Sequence, residues 1–278
     1  MTKAEKNRSM QTFGTSRRWL LLLGLVVAGV ALAQTVVAQN PGALTPIQRE
    51  IERQRQRLSS SEVEERRDAL MRLANMKRPD ASRVAAAGLN DVEVQVRVAA
   101  AHALLALPPA EAAALILPLL QDRAEFLRRE AAYALGETRS RTAVARLSEL
   151  LSGDKEAAVR GAAAVALGQI GDETAVNALS QALTGVKKKK AAPADEFLMR
   201  SAAHSLGQIR SRAALPALIA ALSDDQNPLD VRREAAVALG LIGDPSAAPA
   251  LRAVLDSSDP YLAEAARQAL RILATARN

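Results

Sequence analysis

The sequence predicts an all-α fold, a right-handed α-solenoid of about seven two-helix repeats. Three observations predict it. Residues 159–172, Val-Arg-Gly-Ala-Ala-Ala-Val-Ala-Leu-Gly-Gln-Ile-Gly-Asp, return slightly altered at 231–244. The leucine of that motif anchors a series, Leu73, Leu104, Leu135, Leu167, Leu206, Leu239 and Leu270, spaced by 31, 31, 32, 39, 33 and 31 residues. A period in that range means one supersecondary unit per copy, stacked because no single unit buries its own apolar face. Finally, aromatics make up only 2% of the 278 residues, so thin layers of close-packed Ala/Leu helices suit the chain better than a deep globular core.

Residues 1–38 read as a targeting segment. A basic stretch ends at Ser16-Arg17-Arg18, an apolar run follows from Trp19 to Ala33, and Ala31-Leu32-Ala33 or Val36-Val37-Ala38 supplies small residues for a signal peptidase. The paired arginines before a leucine-rich run are also those of a twin-arginine signal. An uncleaved anchor fits as well, because Trp19 to Ala38 is twenty residues, enough to span a bilayer with the basic end inside. The expected location is therefore periplasmic or extracellular, or the inner membrane with the solenoid outside the cytoplasm.

Residues 39–45 form a linker, and the solenoid occupies 46–278. Thr45-Pro46 has the form of an N-cap followed by proline at the first helical position. The first helix carries Ile47, Ile51 and Leu58 on one face and polar residues elsewhere, as a cap on the stack. The A helices are predicted over 46–58, 79–89, 110–121, 141–151, 173–184, 212–222 and 245–255. The B helices are predicted over 62–76, 92–107, 124–137, 156–170, 195–209, 229–242 and 261–275. Alanines three and four apart let helices approach closely. Gly168, Gly207 and Gly240 fall near B-helix ends, and Gly171-Asp172 and Gly243-Asp244 make turns into the next A helix. The 39-residue spacing reflects a lysine-rich insertion at 186–195.

The formal charge of +7 is unevenly placed. Lys3, Lys6, Arg8, Arg17 and Arg18 against Glu5 put +4 in the first 38 residues, and Lys187, Lys188, Lys189 and Lys190 sit together in the insertion. The rest is close to neutral, which argues against a general nucleic-acid-binding surface. The lysine run reads as a solvated loop, or as a site for an anionic partner surface. Cysteine is absent, which excludes disulfides and thiolate chemistry.

The pattern Val-Arg-x-x-Ala-Ala-x-Ala-Leu-Gly followed by Gly-Asp closely resembles the short HEAT-like repeats of phycobilisome lyases. The resemblance covers nearly everything after residue 45. It implies a ladder between adjacent repeats, built from an aspartate at the A–B turn and an arginine six residues later. The matching residues are Asp91 and Arg97, Asp122 and Arg128, and Asp154 and Arg160. In later copies the pattern drifts, with Arg232 seven residues after Asp225 and with Met199 and Ala263 where arginine is expected. HEAT-like deoxyhypusine hydroxylases bind iron through His-Glu dyads, but neither His102 nor His204 is followed by glutamate. These two histidines stand three repeats apart, so no shared metal site is expected.

No nucleophile elbow or phosphate loop occurs. The residues therefore lead to an expectation of no catalytic, cofactor or metal site, and of an exported, non-enzymatic scaffold or adaptor for another protein. An enzyme subunit, or a chromophore lyase or chaperone of the phycobilin lyase-like type, is the alternative. Phe126, Phe197 and Tyr261 share one position, nine residues before the anchoring leucine, in the first turn of the B helix. In the resembling family that turn lines the concave face. These aromatics serve either inter-repeat packing or partner binding. Arg129, Arg200 and Arg233, one residue past the ladder position, complete the candidate protein-binding set.

Overall fold

A computed structural model describes residues 44–185 and 193–275; the leader-like segment, most of the linker and Lys187 to Lys190 lie outside them. Among the described residues every regular element is helical. None of these helices is long and apolar enough to cross a membrane. The chain divides into two compact units, Met1–Glu50 and Ile51–Asn278.

The first unit contributes the start of α1 (Pro46–Arg57). Thr45 and Gln48 close a reciprocal capping box: the Gln48 amide donates to Thr45 Oγ1 at 3.2 Å and the Thr45 amide to Gln48 Oε1 at 2.9 Å.

The second unit is an α-solenoid. After the rest of α1 come α2 (Val63–Asn75), α3 (Pro79–Ala85), α4 (Val94–Ala103), α5 (Pro109–Ile116), α6 (Glu125–Thr138) and α7 (Val144–Gly153). They are followed by α8 (Ala157–Ile170), α9 (Val176–Thr184), α10 (Pro193–Ile209), α11 (Leu215–Ser223), α12 (Leu229–Ile242), α13 (Ala248–Arg252) and α14 (Pro260–Thr275). Short 3-10 turns extend or precede most A helices. The even-numbered B helices pack each on the next, and from α7 onward the odd-numbered A helices do the same in a second layer.

Each anchoring leucine from Leu73 to Leu239 is fully buried, and alanines around it are buried with it. Burying one such leucine contributes about 1.5–3 kcal/mol. One apolar cluster runs from Ile51 to Ala103 and a second from Ala101 to Leu273, meeting on α4.

Two glycine classes separate here. Gly171 and Gly243 end α8 and α12 with φ of 73° and 75°, the left-handed C-cap expected of the turns. Lys77, Arg139 and Arg210 hold the same conformation at the equivalent point, four residues past the anchoring leucine. Gly168, Gly207 and Gly240 do not end helices: they lie within them, at points of close approach. A Cβ on Gly240 would come within 2.9 Å of the Ala269 backbone, so glycine there lets α12 and α14 touch.

Candidate functional site

The ladder connects each repeat to the next. Arg66 reaches Asp91 through Nε and Nη2 at 2.7 and 2.9 Å, and Arg128 reaches Asp154 at 2.6 and 3.0 Å. Arg97 reaches Asp122 at 3.1 Å and Arg160 stands 3.6 Å from Asp195. Within its own repeat each arginine instead donates Nη1 to backbone carbonyls, as Arg97 does to Asp91 O at 2.7 Å. Asp91, Asp122 and Asp154 meanwhile each accept from the amide two residues on, an Asx turn that leads into the B helix. The Arg66 guanidinium beside Asp91 holds that carboxyl below the usual carboxylate range. In the Arg66 and Arg128 rungs two bonds per fork and two anchored ends fix both partners, which is why these charges tolerate being largely buried. Arg97 instead donates to Asp122 through Nη2 alone, and its buried Nε finds no partner among the described residues.

Arg233, grouped by sequence with Arg129 and Arg200, has a different place. It is the ladder arginine of its repeat, bonding Asp259 at 2.7 and 2.9 Å and Asp230 as well. Arg232, at the aligned ladder position, donates to the Leu222 carbonyl instead. A shift of one residue in the turn before α12 exchanges the two roles. Arg66, Asp195 and Asp259 are rungs that sequence alignment missed: Ser60 stands where Arg66 would have an aspartate six residues earlier, and Asp195 and Asp259 sit two places nearer their leucines than the other aspartates do.

The remaining candidates do not form one cluster. Phe126 is 43% exposed, with the Arg129 guanidinium 5.2 Å from its ring centre. Tyr261 is exposed, and Arg233 of the preceding repeat lies 5.2 Å from its ring. Phe197 packs on the preceding B helix, since a Cβ on Gly161 would meet its ring at 2.4 Å. Arg200 is exposed.

Each histidine meets a glutamate from the following repeat. His204 Nδ1 lies 2.8 Å from Glu234 Oε1, and His102 Nε2 lies 3.5 Å from Glu130 Oε2. Arg129 also bonds Glu130, and burial pushes the Tyr133 phenol up. The pairs come from equivalent positions but stand three repeats apart. Among the described residues no group of three or more His, Cys, Asp or Glu side chains is placed to hold a metal ion. The donors present do not fit an iron centre.

An open groove of about 580 Å3 crosses α2, α4 and α6. It is lined by Met71, Val98, Ala99 and Phe126, with Arg67, Gln95 and His102 as polar members. The sequence held a signal for it: Arg67, Met71, Val98, His102 and Phe126 fall two, six or nine places before an anchoring leucine, the columns that face outward from the B helices.

Known proteins resemble the chain as follows. The family model described as HEAT repeats matches residues 113–192 and 189–271, more than half of the sequence. A deoxyhypusine hydroxylase of Gallus gallus is 42% identical over 82 residues, 30% of this chain and 27% of that protein. The bilin biosynthesis protein PecE of Mastigocladus laminosus is 41% identical over 76 residues, 27% of this chain and 28% of that protein. The chain thus spans about a quarter of the length of these curated relatives. An engineered protein of known structure aligns over 81% of this chain and 68% of its own, at a TM-score of 0.54 and 22% identity, a likeness of fold. The curated relatives overturn the expectation of a non-enzymatic scaffold. That expectation rested on missing catalytic motifs contiguous in sequence, whereas a solenoid assembles a site from different repeats, as the His–Glu pairs illustrate.

Proposed function

This chain belongs to the HEAT-repeat family, and on that premise we propose that it is an enzyme subunit of the phycobilin-lyase type, holding a small ligand on its B-helix face. The observation that carries the reading is the character of that face. Across α2, α4 and α6 it leaves Met71 and Phe126 exposed beside Arg67 and the carboxylate-paired His102. Apolar side chains with a few convergent polar groups are the makings of a ligand site. Similarity to a protein of bilin biosynthesis supports the choice of ligand class.

The test is optical. Purified full-length protein titrated into biliverdin is expected to give a saturable change in its long-wavelength absorbance. An unchanged spectrum at the highest soluble protein concentration removes the reading.

A further inference from the structure

We infer that the groove across α2, α4 and α6 is the ligand site, and that it takes a flat apolar molecule of the linear tetrapyrrole class with one carboxylate on Arg67. This rests on the reading above and gives it a place and an orientation.

The volume of about 580 Å3 lies within the range of small-molecule clefts, roughly 300–1,000 Å3. Met71 and Phe126, two large apolar side chains left 51% and 43% exposed, stand on its opposite walls, α2 and α6. Val98 and Ala99 lie between them on α4. An apolar body laid over these four side chains would remove from water a surface that the fold itself leaves wet.

Charge sets the orientation. Arg67 bonds Glu64 through Nη1 only, which leaves its Nε and Nη2 donors for a second carboxylate. The acid at the other wall, Glu130, is already shared between Arg129 and His102. A guanidinium fork with two donors to spare takes a carboxylate better than any neutral group. Tetrapyrroles carry propionates on an apolar conjugated body, which matches both halves of the groove.

Biliverdin and its dimethyl ester separate the two halves. With wild-type protein both are expected to bind, the free acid more tightly. Arg67→Gln should weaken biliverdin about tenfold and leave the ester unchanged, a difference of about 1.4 kcal/mol. Met71→Glu should weaken both by tenfold or more, with helical circular dichroism unchanged, since Met71 is exposed on the groove wall. If wild-type protein binds biliverdin and both variants bind it equally well, this groove assignment is overturned while the enzyme-subunit reading stands. If Arg67→Gln weakens acid and ester alike, the carboxylate contact is wrong. Absence of any binding by wild-type protein overturns both proposals.

Discussion

At the scale of single residues, the same side-chain type does unlike things one position apart. Arg128 is 7% exposed and binds Asp154, itself almost wholly covered. Arg129 lies over Phe126 at the surface. Truncating one partner of a buried pair leaves an uncompensated charge, so Arg128→Ala is expected to cost about 3–5 kcal/mol in urea unfolding. Arg129→Ala should stay within about 1 kcal/mol, as exposed pairs do. Equal losses for the two variants would contradict the ladder as drawn. Sequence alignment found the correct residue types for three rungs, yet misplaced Arg232 and Arg233. Side-chain reach, not counting, decides which arginine meets the carboxylate.

Helix ends divide by a different rule. Five B helices finish with one residue in the left-handed conformation, and only Gly171 and Gly243 can adopt it without a steric penalty. Arg210, at φ 58°, is exposed and its amide donates to the Leu206 carbonyl as a glycine would. Arg210→Gly is therefore expected to raise stability by up to about 1 kcal/mol, read as a higher thermal midpoint. Gly243→Ala should lower it. The sequence announced the two glycine caps and was silent about the three cationic ones, because nothing in a lysine or arginine signals positive φ.

Across the whole molecule, acid should loosen the stack. Asp91 and Asp259 are held below the ordinary carboxylate range by Arg66 and Arg233, and Asp68 by Arg72 and Arg57. Groups with a depressed folded-state pKa stabilise the fold above their unfolded value, near 4, and lose that contribution as pH falls through the folded value. The thermal midpoint should hold from pH 7 to about 5 and drop below about 4. An unchanged midpoint at pH 3 would mean that the rungs contribute nothing. At this scale the sequence was most legible: a repeating leucine marks a repeating layer, and the predicted helices differ from the observed ones by a few residues at their ends. The groove was legible only as recurring outward columns, because Arg67, His102 and Phe126 become neighbours only when three copies are set side by side.

The ladder also bears on how such a chain can change length. At the rungs where the arginine is kept, one copy offers the same guanidinium fork that the next receives on the same carboxylate. A copy duplicated or deleted in frame between two such rungs restores the joint with no second mutation. The array grows or shrinks by whole units, and each new unit arrives already fitted to its neighbours.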